Sequence, residues 1–283
     1  MEAIVADDPD TVSNESEAVT EFRSLDGLRL SATWMVPSAA ASSAAVLVHG
    51  GGVTRDEGGF FSRLAAGLRQ TGIGSLRFDL RGHGSSEGRQ EDLTLAGIMN
   101  DIRAAVAHVR DLMGNGPVNL IGTSFGGGIS GCFAAHHPDQ LRRLVLLNPL
   151  VNYKKRFIDD KPYWNDDRID DDAGRELATQ GFLWHSPTFK LGRPLLNEVF
   201  YLRPDQAIAN ISTPTLIVHG TKDTFIPVES SRTYVQQIPA EARLLEVEGA
   251  QHGFAVHDDP QYLNPQTVEW QALVIREVVE WLA

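Results

Sequence analysis

The sequence has one cysteine, Cys132, among 283 residues. An internal disulfide is therefore excluded, and no clustered Cys/His spacing suggests a metal. No His-Glu-x-x-His occurs, and the aspartate runs lack the glycine and spaced ligands of a calcium loop. No apolar run approaches the roughly 18 residues that span a bilayer. The N-terminus, Met1-Glu2-Ala3-Ile4-Val5-Ala6-Asp7-Asp8, lacks the basic start and apolar stretch of a signal peptide. Cations are outnumbered, with 25 Lys and Arg against 37 Asp and Glu and a net charge of −12. That balance argues against nucleic acid and anionic membrane as partners. A soluble cytoplasmic protein without metal or cofactor is the expectation.

What is present is a chain that is 42% hydrophobic, which fits one large domain with a modest insertion, or at most two domains. Residues 1–17 are polar and acidic and are expected to be a flexible N-terminus. Ala18 to Ser24 and Leu28 to Val36 alternate around Asp26-Gly27, which predicts a β-hairpin. A short continuous apolar run follows at 44–48, as for a parallel strand buried on both faces, and further strands are read at 74–78, 118–122 and 141–147. Helical periodicity separates them, at 60–68 and at 95–112. Between residues 150 and 204 the alternation stops. This stretch is acidic and aromatic, and it is too long for bare loop, so a cap of short helices is expected. Alternation resumes with strands at 215–219 and 242–247, a helix at 228–237 and a terminal helix at 267–283. The domain reading is a core of 18–149 and 205–283 carrying a 150–204 insertion. The sheet is mainly parallel with helices on both faces.

The sharpest local pattern is Gly122-Thr123-Ser124-Phe125-Gly126, at the end of one strand and the start of a small-residue helix. A serine on so tight a turn projects at the carboxyl edge of the sheet. A serine hydroxyl needs a base, an orienting group and donors for an oxyanion. These partners belong on loops after strands. Asp223 follows the strand at 215–219, and His252 follows the one at 242–247, giving the order Ser, Asp, His. The backbone N–H groups of Phe125 and Gly51, with Gly52 second to Gly51, are the candidate oxyanion donors. His257 is the rival to His252. His49, His83 and His219 read as structural imidazoles, and Cys132 as a buried structural thiol. His185 is either solvated or lines a pocket. The aspartates at 166–172 read as a solvated acidic face. Trp164, Phe182, Trp184 and Tyr201 are either a mini-core of the insertion or a wall of the substrate pocket, and Gly52 is a further candidate contact.

The segments 46–52, 74–88, 118–128, 215–227 and 249–254 together resemble the α/β-hydrolase superfamily. Arg77-Phe78-Asp79-Leu80-Arg81-Gly82-His83-Gly84-Ser85-Ser86-Glu87-Gly88 is similar to its cinnamoyl/feruloyl esterase-like and serine-aminopeptidase-like (monoglyceride-lipase-like) branch. So is Phe200-Tyr201-Leu202 leading into Thr215-Leu216-Ile217-Val218-His219-Gly220-Thr221-Lys222-Asp223. One departure is Gly51, where the esterase branch often carries a bulky residue. The resemblance implies an α/β-hydrolase fold with an inserted helical cap. It also implies hydrolysis of a carboxylic ester through an acyl-enzyme on Ser124 with Asp223 and His252, and the aromatics of the insertion point to a small, apolar or aromatic substrate. The alternatives are a thioesterase or acyltransferase serving a carrier-bound acyl group, with an acyl carrier protein as partner, and a non-catalytic ligand-binding member of the fold.

Overall fold

The computed structural model describes residues 16–38 and 43–283. The expected flexible N-terminus thus lies outside the described residues except for Ser16 and Glu17, and Glu17 already opens the first strand. Residues 39–42 lie outside them as well. Strands β1 (Glu17–Arg23) and β2 (Arg29–Met35) form the expected antiparallel hairpin. The chain continues through β3 (Ser43–Val48), α1 (Phe60–Gln70), β4 (Ile73–Phe78), α2 (Leu95–Met113), β5 (Val118–Thr123), α3 (Ser124–His136) and β6 (Leu144–Leu147). After an insertion come β11 (Thr215–Gly220), α7 (Val228–Val235), β12 (Ala242–Val247) and α8 (Pro265–Leu282).

Eight of these strands make one sheet in the order β1-β2-β4-β3-β5-β6-β11-β12. From β4 to β12 every pairing is parallel, and only β2 runs against its neighbours. Strands β3, β4, β5, β6 and β11 are buried along their whole length because both faces are covered. Val46 and Val48 of β3 point to one side, where Ile98, Ile102 and Val106 of α2 and Ile129 and Phe133 of α3 meet them. Ala45 and Leu47 point to the other, against Phe61, Leu64 and Leu68 of α1 and Val274 and Val278 of α8. Each such buried Leu, Val or Phe contributes about 1.5–3 kcal/mol of transfer free energy. Parallel strands leave all their carboxyl ends on one edge. The ends of β3, β5, β11 and β12 therefore share that edge.

Strand β6 is shorter than the expected 141–147, because Leu141 lies outside the strand and Arg142 already donates its N–H to the Val118 carbonyl. The larger correction concerns the insertion, which is not made of helices alone. It holds a π-helical turn (Lys155–Asp159), a small hairpin of β7 (Trp164–Asn165) and β8 (Arg168–Ile169), and helix α4 (Asp171–Gln180). A second hairpin of β9 (Phe182–Ser186) and β10 (Phe189–Gly192) follows, then α5 (Arg193–Glu198) and α6 (Pro204–Ala207). The aspartates expected to form a solvated face have local jobs. Asp166 and Asp167 take φ values of 48° and 60° as the two turn residues between β7 and β8. Asp170 caps α4 by accepting the Ala173 N–H at 2.8 Å, while Asp171 and Asp172 lie in its positive first turn. Asp170→Ala should therefore cost about 1 kcal/mol of stability, whereas Asp172→Ala, an exposed partner of Arg175, should cost about 0.5 kcal/mol or less. Urea unfolding midpoints of the two variants check this ranking.

Candidate active site

Ser124 is the first residue of α3 and has a left-handed φ of 50°. That conformation is strained for a residue with a side chain, and it persists only where close packing holds it. A Cβ on Gly122 would stand 2.4 Å from Ser130 Oγ, and one on Gly126 would stand 2.5 Å from the His49 carbonyl oxygen. The two glycines let the turn close against α3 and the end of β3. Leu150, at the start of the insertion, donates its N–H to the Ser124 carbonyl at 2.8 Å. Tyr153 completes the brace. Its buried hydroxyl donates to the Phe125 carbonyl and accepts the Ile129 N–H at 2.9 Å. Those two backbone groups are four residues apart, the pair a regular helix would join directly.

The three side chains expected to act together meet at the shared sheet edge. His252 Nε2 lies 3.0 Å from Ser124 Oγ, and His252 Nδ1 lies 2.7 Å from Asp223 Oδ2. Asp223 is buried, and its Oδ1 accepts the N–H groups of Phe225 at 2.8 Å and Ile226 at 2.9 Å. Burial opposes its charge, but hydrogen bonds from His219 and His252, the His252 charge and the Ile226 N–H outweigh it. The carboxyl is held well below the usual range. An ionised Asp223 accepts from Nδ1–H and leaves Nε2 as an acceptor toward the serine hydroxyl. A chain of this kind can raise the nucleophilicity of a hydroxyl.

The proposed oxyanion donors face the same space. Among Gly50, Gly51 and Gly52, the first donates its N–H to Glu57 and the last to His83 Nε2 at 3.1 Å. The Gly51 N–H has no partner among the described residues. The Phe125 N–H, in the first turn of α3, has no intrahelical carbonyl within reach. Gly51 is explained by β10. A Cβ there would stand 2.8 Å from Phe189 Cε1, so the phenyl ring occupies the room that a bulky residue 51 would need.

A cavity of about 200 Å³ opens at Ser124. Its walls include Phe125, Leu150, Phe157, Phe189, Phe225 and Ile226, with polar Arg156, His185 and His252. The four aromatic residues weighed as its wall or as a mini-core of the insertion stand elsewhere. Trp164 packs on Phe200 with ring centroids 5.9 Å apart, and Tyr201 is 89% exposed. Phe182 and Trp184 lie on the outer face of β9, where Lys190 covers both rings, 4.3 Å and 5.4 Å from their centroids. Strand alternation is the reason. Once 182–186 is a strand, Leu183 and His185 face inward and Phe182 and Trp184 face outward. Gly52 does not line the cavity either. Phe189 was missed because the period of two is short and interrupted at Pro187-Thr188, and Phe157 because it lies on a single π-helical turn too short to show a period.

The remaining histidines fall as expected. His49 Nε2 accepts the Leu80 N–H at 3.0 Å and its Nδ1 meets the Gly50 carbonyl, with burial pushing its pKa down to about 3. His83 is tied to Gly52 and Arg81, and His219 to Ser231 and Ile226. His257 is exposed and approaches only Asp258. His185 is the one that lines the cavity. Burial pushes the Cys132 thiol up to about 11, which makes it inert at neutral pH.

Nothing in the sequence singles out Glu57 beside Asp56. Its Oε2 accepts the Gly50 N–H at 2.8 Å, and Gly50 in turn lies against the Ser124 side chain. Part of the residue reaches solvent, while its carboxyl is enclosed by this loop. Burial pushes its pKa up to about 7, against the Gly50 hydrogen bond and the charge of His252. A carboxyl raised above its unfolded value adds stability at low pH and loses it as pH rises through the folded value. Wild-type stability should therefore fall relative to Glu57→Gln between pH 4.5 and about 7, read as the difference in melting temperature across that window. Tyr153→Phe should strand the Phe125 carbonyl and the Ile129 N–H at a cost of about 1–3 kcal/mol, checked by urea unfolding.

Residues 45–195 match the family model described as the alpha/beta hydrolase fold. A monoacylglycerol lipase of Mycolicibacterium smegmatis is 26% identical over 280 residues, covering 92% of this chain and 95% of that protein. A 2-hydroxymuconate semialdehyde hydrolase of Pseudomonas putida is 28% identical over 233 residues, covering 69% of this chain and 75% of the other. Est1E from Butyrivibrio proteoclasticus, solved with ferulic acid bound, superposes with a TM-score of 0.76 at 23% identity, over 92% of this chain and 97% of its own. The eight-stranded sheet, the turn at Ser124 and the family match agree: the chain belongs to the α/β hydrolase fold family.

Proposed function

We propose that the chain hydrolyses a carboxylic ester of a small apolar or aromatic substrate through an acyl-enzyme on Ser124. Hydrolysis of the lipase or esterase type is what the family and its relatives support. The observation that carries the finer reading is the continuous hydrogen-bonded chain from Asp223 through His252 to Ser124, opening on an apolar cavity. In this reading His252 takes the serine proton as Oγ attacks the acyl carbonyl. Asp223 fixes the imidazole tautomer and stabilises the imidazolium. The N–H groups of Gly51 and Phe125 hold the oxyanion. Collapse of the tetrahedral intermediate returns the proton to the leaving alcohol. Water then attacks the acyl-enzyme with the same histidine as base and releases the acid.

The cavity size supports a small substrate, and its phenyl rings support an apolar or aromatic body. A fluorophosphonate probe should label Ser124 in the wild type and leave Ser124→Ala unlabelled. Ser124→Ala and His252→Ala should each lower kcat for an aryl ester by about 10³-fold or more. Full activity in Ser124→Ala would overturn the site. Product analysis with added alcohol separates hydrolysis from acyl transfer, and mainly transfer product would favour an acyltransferase.

A further inference from the structure

Five of the nine basic residues of the insertion, Lys154, Lys155, Arg175, Lys190 and Arg203, pair with carboxylates. Lys154 contacts Asp159 at 2.6 Å and Asp167 at 2.7 Å, Lys155 pairs with Asp160, and Arg203 meets Asp205 at 2.6 Å. Arg156 is the unpaired cation that lines the Ser124 cavity. Its guanidinium has no ion pair and no hydrogen bond among the described residues, although the protein carries a net charge of −12. It is half-buried on the π-helical turn and lines the Ser124 cavity together with an adjoining groove of about 290 Å³. The carboxylates of that groove are already engaged, Asp160 by Lys155 and Glu229 by Arg232 at 3.3 Å.

His185 lines the same cavity, and its Nδ1 is buried without a hydrogen-bond partner. Its ring stands edge-on to Phe157 at 5.0 Å and to Phe189 at 6.0 Å, so its direction is fixed by packing. Burial, then the charges of Lys161 and Arg156, push its pKa down to about 3. It is therefore a neutral imidazole, next to two cations and no carboxylate partner. An unpaired cation and an unsatisfied polar nitrogen are both costly at the wall of an apolar pocket. Both costs are offset if an anion binds between them.

We infer that Arg156, with His185 beside it, forms an anion subsite of the Ser124 cavity, and that the substrate is an ester carrying a carboxylate. This rests on the ester-hydrolase reading and narrows it. The scissile carbonyl sits at Ser124, the apolar body lies against Phe157 and Phe189, and the carboxylate reaches Arg156. A planar guanidinium matches a carboxylate with two parallel hydrogen bonds. One guanidinium and a neutral imidazole balance a single charge. A phosphate monoester, at about −1.5 to −2, would leave charge uncompensated.

Matched esters test the inference on both sides of the scissile bond. The acyl-side pair is 4-nitrophenyl hydrogen glutarate and its neutral methyl ester. The leaving-group pair is 4-acetoxybenzoate and methyl 4-acetoxybenzoate. In the wild type, the anionic member of at least one pair should have the higher kcat/KM, by about 10-fold or more. Arg156→Gln should raise KM for that ester by about 10–100-fold, with kcat changed by no more than about 3-fold and the neutral esters unaffected. Preference for the neutral member in both pairs, or an equal loss on neutral and anionic esters in Arg156→Gln, would overturn the subsite. Binding without turnover keeps the two readings apart. Calorimetry of the same anionic esters with Ser124→Ala should show binding that Ser124→Ala/Arg156→Gln loses. If no ester turns over and Ser124 resists the fluorophosphonate, the hydrolase reading fails. Arg156-dependent binding would then still support the anion subsite, and absent binding would sink it.

Discussion

The left-handed backbone at Ser124 is the constraint on which the rest of the molecule depends. A φ of 50° on a serine costs about 1–3 kcal/mol, and the surroundings must hold it. They do so from several directions. Gly122 and Gly126 bring α3 against β3 and β5 at distances no side chain would allow. The Leu150 N–H holds the Ser124 carbonyl, and the Tyr153 hydroxyl holds the Phe125 carbonyl and the Ile129 N–H. Two of these braces belong to the start of the insertion. The segment that walls the cavity thus also fixes the turn beneath it.

Charge around this turn is divided with care. Asp223 is buried yet strongly disposed to ionise, because His219, His252 and backbone N–H groups all face it. His49, His83 and His185 are driven toward neutrality, with desolvation as the largest cause in each. Glu57 sits behind the glycine loop as a carboxyl that burial keeps protonated to near neutral pH. A low-dielectric site with few fixed charges strengthens each interaction that remains. Against that background an unpaired Arg156 at the cavity wall stands out as the one cation without a partner there, among the described residues.

Much of the fold and the core of the site were legible in the sequence. Continuous apolar runs mean strands buried on both faces. Alternation with helices means parallel strands, and parallel strands put their following loops on one edge. That logic brings Ser124, Asp223 and His252 near one another, and the close approach that a backbone donor needs made Gly51 the first candidate donor and Gly52 the second. In the structure the Gly52 N–H is already taken by His83. The insertion was not legible in the same way. Its strands are two to five residues long, and its aspartates serve turns and a cap that look like plain acidity in one dimension.

Local pattern determined the sheet, the elbow and the order of its partners, because period and turn chemistry are properties of neighbouring residues. Only the tertiary structure decided which aromatics face Ser124, for an assignment to strand fixes the side on which every residue falls. Phe182 and Trp184 went outward by that rule, and His185 came in. It alone also decided that Glu57 lies behind Gly50 and that Arg156 is unpaired, since burial and pairing depend on residues far away in the chain. Sequence set which groups the chain possesses, and packing set which of them are left to meet a substrate.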